Sequence, residues 1–134
     1  MSRRVALPVL LALALTITAC GEQTTGPTAE GQWGGQAASL QLAASGGAIQ
    51  YPCGSGTIDP GWTLAKGGTF GATGKHFVGG GPLPPGGRAG VAAAYSGHVN
   101  GSKLVFTVTL TDSGQVLGPF ELVRDGPTVA DMCV

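Results

Sequence analysis

VAAAYSGHVNGSKLVFTVTLTDSGQVLGPFEL, residues 91–122, alternates apolar and polar side chains with a period of two. That period belongs to strands with one buried face. Within it, Asn100-Gly101 is a strong hairpin signal, because both residues tolerate φ > 0. A two-residue loop there sets Val99 opposite Ser102, Gly97 opposite Leu104, Tyr95 opposite Phe106, Ala93 opposite Val108 and Val91 opposite Leu110. One face then gathers Val91, Ala93, Tyr95, Val99, Leu104, Phe106, Val108 and Leu110. The other carries Ala92, Ala94, Ser96, His98, Lys103, Val105, Thr107, Thr109 and Thr111. Turn chemistry and face pattern agree on one register. Asp112-Ser113-Gly114 suits a three-residue loop with glycine in the left-handed region. It sets Leu110 opposite Val116 and Phe106 opposite Phe120, adding Val116, Phe120 and Leu122 to the apolar face. Pro119 falls on the other face and predicts a bulge or irregularity there.

Working outward, Asp125-Gly126 turns the chain into a last strand over 128–134. Upstream, strands are expected near 32–42, 47–52, 56–59 and 68–78, separated by Gly46-Gly47, Asp59-Pro60-Gly61 and Gly67-Gly68. Residues 79–87 (Gly-Gly-Gly-Pro-Leu-Pro-Pro-Gly-Gly) form the longest loop. The class is all-β: a small antiparallel up-and-down β-barrel of about eight strands over residues 31–134. Closure removes the exposed edges and sets the last strand beside the first.

The chain begins with a basic start (Met1-Ser2-Arg3-Arg4), an apolar run from Val5 to Ile17, and the box Ile17-Thr18-Ala19-Cys20. The apolar run is shorter than the ~20 residues that span a bilayer, and Pro8 interrupts it. The order of charge, apolar run and small residues is that of an export signal. With its cysteine, this leader resembles the lipobox of bacterial lipoproteins. The resemblance implies a signal peptide over 1–19, removed to make Cys20 the first residue, and lipid attached to Cys20 through diacylglycerol and palmitate-type acyl chains. It implies localisation in the cell envelope, anchored on the extracytoplasmic or periplasmic side. Gly21 after the cysteine favours the outer membrane in a host that has one. Residues 20–30 then read as the lipid-bearing cysteine and a flexible tether.

All 25 glycines lie beyond residue 19. There, five basic side chains against seven acids leave about −2, which argues against nucleic acid as a partner. Cys53 and Cys133 remain as a pair in an oxidising compartment, so a disulfide is expected. In the chain-entropy model a loop of that length stabilises by about 4–5 kcal/mol. No metal or other cofactor is expected, since two distant cysteines and two isolated histidines lack ligand spacing.

Gly31-Gln32-Trp33 opens the first strand and resembles the Gly-x-Trp start of lipocalin-like and avidin-like barrels. The resemblance implies that Trp33 plugs one barrel end under a basic side chain. Arg124 shares the parity of Phe120 and Leu122, so it either covers Trp33 by stacking or stands exposed beside a turn. Trp33, Tyr95, Phe106, Phe120 and Arg124 are the candidate ligand-contacting or interior residues.

Other motif-like stretches lack the residues or the setting that their chemistry needs. Gly71-Ala72-Thr73-Gly74-Lys75 lacks the first glycine and the final Ser/Thr of a P-loop, with Thr69 and His76 in those places. Asp112-Ser113-Gly114 sits in a turn with no histidine–acid partner. His98 belongs to the polar hairpin face; His76 is either an ordinary strand residue or a lining of the barrel mouth. No pair of acids has acid/base spacing, so no enzyme activity is expected.

Two functions remain. One is a binding module for a small apolar ligand or a protein partner at the barrel mouth. The other is a structural envelope or interaction protein, including a protease-inhibitor-like one, without a small ligand. Cys20→Ser tests the leader. Fractionation should move the protein out of the membrane; unchanged membrane association and mobility would identify an uncleaved anchor instead.

Overall fold

Gly31–Gly34 (β1) and Ser39–Ala43 (β2) open the barrel, followed by Gly46–Tyr51 (β3) and Gly54–Ile58 (β4). Thr63–Leu64 (β5) is a short added strand. Thr69–Val78 (β6), Val91–Asn100 (β7), Lys103–Leu110 (β8) and Val116–Arg124 (β9) complete it. These elements come from a computed structural model that describes residues 28–133. The lipobox, Cys20 and residues 20–27 of the expected tether lie outside the described residues.

The sheet runs β4-β3-β2-β1-β9-β8-β7-β6-β5, and a β4–β6 pairing closes eight strands into an antiparallel barrel with β5 outside the ring. The fold class is therefore the expected one. Inward positions come from the period-two pattern. Trp33, Leu40, Ile49, Phe70, Tyr95, Leu104, Phe106, Val108 and Leu122 fill the interior. Space is allotted closely. A Cβ at Gly56 would stand 2.7 Å from the Tyr95 hydroxyl. That hydroxyl crosses over the glycine to donate to the Lys75 carbonyl at 3.0 Å.

Several expectations need correction. The stretch 32–42 is two strands, because Trp33 and Leu40 have opposite parity and one strand cannot bury both. The break over residues 35–38 lets both face inward. The first hairpin keeps its faces but shifts its register: Asn100 pairs with Lys103, Gly97 with Phe106, Tyr95 with Val108 and Ala93 with Leu110. The loop is Gly101-Ser102. Only Gly101 takes positive φ, at +60°, so a Gly-X two-residue turn replaces Asn-Gly.

In the second hairpin Phe106 does oppose Phe120, as expected. Val116 opposes Thr109, not Leu110. The irregularity expected at Pro119 is present: the register slips between Phe106 and Val108 opposite Gly118-Pro119. The slip flips parity, so Leu117 turns inward and Val116 is exposed. Val91 is likewise exposed, at the first position of β7.

The strand expected over 128–134 is not there. Residues 126–133 form a non-strand tail, and β9 itself pairs with β1. Asp125, at φ +56°, carries the turn that diverts the chain.

Phe106 is buried, whereas Thr107 lies beside it on the outer face. Phe106→Ala should lower unfolding stability by about 3–5 kcal/mol. Thr107→Ala should stay within about 0.5 kcal/mol. Chemical denaturation of both variants checks this; equal losses would contradict the facing of β8.

Candidate functional site

The two barrel ends differ. At one end, the chain enters and Trp33 lies wholly buried. Trp33 donates its indole N–H to the Ala29 carbonyl at 2.8 Å. Arg124, its partner in the β1–β9 register, sets its guanidinium 4.2 Å from the ring centroid. Arg124 also donates to the carbonyls of Glu30 at 2.8 Å and Thr28 at 2.6 Å. Of the two alternatives for Arg124, stacking is therefore the one found. Residues 28–30, expected as tether, are docked, and Ala29 is fully buried. Trp62 packs against Phe70 at 5.9 Å near the same end. This is the closed end.

The open end carries the β3–β4 turn, the 79–90 loop and the 111–115 turn. Beneath it runs a chain of rings. Tyr95 and Phe106 lie 6.4 Å apart, and Phe106 and Phe120 5.3 Å. Phe120 lies 5.2 Å from Tyr51, and Tyr51 5.4 Å from His76. Tyr95, Phe106 and Phe120 are thus brought together as interior residues.

His76 follows Phe70, Ala72 and Gly74 on the inward parity of β6 and lines the mouth from within. Tyr51 escaped the sequence reading, although Ile49 and Tyr51 alternate just before Pro52-Cys53. The Tyr51 hydroxyl and His76 Nδ1 are buried without a hydrogen-bond partner among the described residues.

Burial dominates the ionisation of these groups. It raises the Tyr51 phenol, with the Tyr95 charge adding to the rise. It pushes Tyr95 up to about 12, with Asp59 adding to that. It lowers His76 below the usual imidazole value, so the ring sits there neutral. No three His, Cys, Asp or Glu side chains among the described residues group to hold a metal ion.

Cys53 and Cys133 form a disulfide with Cα atoms 4.8 Å apart. It pins the tail after the tail has crossed the outer face of the barrel. Val129 N–H donates to the Ser39 hydroxyl at 3.3 Å and Met132 N–H to the Pro52 carbonyl at 2.6 Å. The bridge rests on the glycine loop: a Cβ at Gly79 would stand 2.7 Å from the Cys133 sulfur. Around this clasp lies a cavity of about 210 Å³, walled by residues 79–81, Arg88 and Asp131.

Two grooves of about 450 and 400 Å³ lie on the outer face of β1–β4, sharing Gln32, Gln41 and Ala48. Among the described residues, the exposed large apolar side chains are Val78, Leu83, Val91, Val116, Val123 and Met132. All but Val123 belong to the open end. Compared with protein-family models, with curated proteins and with solved structures, the chain matches none.

The buried imidazole gives a pH dependence of definite sign. Its folded pKa is depressed, so on acidification the unfolded chain takes up the proton first. This contribution is intact above the unfolded value of about 6.5. It is lost as the pH falls through that value towards the folded one, at up to about 1.36 kcal/mol per pH unit. His76→Leu should remove this component. Denaturation midpoints of wild type and variant on either side of about pH 6.5 check it, and parallel curves would refute it.

Proposed function

We propose that the protein is a lipid-anchored, extracytoplasmic β-barrel that acts as a binding module for a protein partner gripped at its open end. One observation carries this: the exposed large apolar side chains gather at the end opposite to chain entry, over an interior already filled by side chains. A filled interior leaves the rim, not the lumen, as the surface for a ligand. Apolar side chains displayed together are a usual mark of protein contact.

Chain direction supports the same reading. Thr28 enters at the closed end, eight residues after Cys20. Eight residues reach at most about 26–29 Å. A lipid on Cys20 therefore holds the closed end near the headgroups and leaves the open end facing away. The reading assigns no catalytic role to any side chain.

A photo-crosslinking side chain placed at Leu83 or Val116 tests this in the full-length protein, in membranes of its own host. Both positions should yield a protein adduct of one discrete mass. The same group at Val123, exposed at the closed end, should not. The Leu83→Asp, Met132→Asp double variant should abolish the Val116 adduct. Equal crosslinking at Val123, or none at the open end, would refute the reading.

A further inference from the structure

The cavity at the clasp holds two opposite charges in a small space. Its floor is a cross-strand row on the outer face: Gln50 of β3, Ser55 of β4 and Phe77 of β6. Residues 79–81 and Arg88 wall it on the loop side, and Asp131 and Cys133 of the tail, whose sulfur abuts Gly79, complete it. Arg88 is held by one neutral contact, from Nη2 to the Gly81 carbonyl at 3.0 Å, and its guanidinium has further N–H groups to offer. Asp131 accepts from the Cys133 N–H at 3.1 Å. The two do not form an ion pair with each other among the described residues. Gln50 directs its amide protons to the carbonyls of Tyr51 at 2.8 Å and Gly54 at 3.1 Å. Its oxygen is the group it can still offer.

A simple anion here would meet Arg88 but also the like charge of Asp131, and a simple cation the reverse. A ligand carrying both charges satisfies both walls. At about 210 Å³ the cavity is below the size of an ordinary drug-like site, roughly 300–1,000 Å³.

We propose that this cavity binds a small amino-acid zwitterion, a free amino acid or a dipeptide. Its carboxylate lies on Arg88 and its ammonium between Asp131 and the Gln50 oxygen, with the body of the ligand over Phe77. The disulfide is part of the site. Asp131 lies two residues before Cys133, in a tail without strand pairing, so the bridge holds the acidic wall in place.

Alanyl-alanine is the probe, titrated calorimetrically into the full-length protein in detergent micelles. A ligand of that size should bind with a dissociation constant of about 0.1–1 mM. N-acetylation or C-amidation of the probe should each weaken binding roughly fivefold, the range of a solvent-exposed ion pair. Arg88→Gln should weaken the free dipeptide by the same factor and leave its amide unaffected. Asp131→Asn should do likewise with the N-acetyl form.

Both side chains stand outside the barrel core, so the variants should keep the wild-type denaturation midpoint. Reduction by a dithiol should weaken the free dipeptide as Asp131→Asn does. Absence of saturable binding at millimolar probe would overturn the proposal. So would equal affinity for the doubly capped dipeptide, or unchanged affinity in both variants.

Discussion

The barrel depends on a seam only two residue pairs wide. β1 meets β9 through Trp33 opposite Arg124 and Gly34 opposite Val123. Left unclosed, the sheet would present the four-residue β1 and the nine-residue β9 as edges to any passing strand. The seam is short in hydrogen bonds and is reinforced by side chains. The Arg124 guanidinium lies 4.2 Å from the Trp33 ring centroid, a cation–π contact on the order of 0.5–2 kcal/mol. Its N–H groups meanwhile tie down the segment entering the barrel. One arginine thus closes the ring, covers the plug and sets where the chain enters. The position of the open end follows from that, since antiparallel strands distribute their loops according to where the first one begins.

Filling the interior with large rings has a consequence for where recognition can occur. The run from Tyr95 through Phe106 and Phe120 to Tyr51 and His76 occupies the space that a hollow barrel would give to a ligand. The surfaces left for contact are then the rim and the outer wall. Both are shaped by segments without regular structure: the 79–90 loop and the tail. A tail that became a ninth barrel strand would have buried these surfaces. As a strap it leaves them open and adds a wall.

Much of this was legible in the residues. Period-two alternation over 91–122 located three strands and their buried faces, and the parity of free cysteines located the bridge. The parity of Arg124 kept its stack on Trp33 in view. Register was the weak point, for an identifiable reason. Asn100 and Gly101 both tolerate positive φ, and only the packed strands decide that Gly101 alone uses it.

The parity break between Trp33 and Leu40 was readable and marks the turn over residues 35–38. The Asp125-Gly126 turn suggested a further strand over 128–134, but β9 itself already occupies the edge of β1. The clasp cavity was out of reach. Gln50, Ser55, Phe77, Arg88 and Asp131 are scattered in sequence, and only barrel closure and the path of the tail bring them together.

The bridge also joins the chain into a covalent ring, its two cysteines 80 positions apart in sequence. The exposed Pro- and Gly-rich 79–90 loop, the kind of segment that peptidases cut, lies inside that ring. A single cut there opens the ring without parting the molecule. The two pieces stay linked through sulfur, and β6 and β7 stay paired across the gap from Thr69 opposite His98 to His76 opposite Val91. Scission of this exposed loop is thereby a cut that the disulfide and the β6–β7 pairing together tolerate.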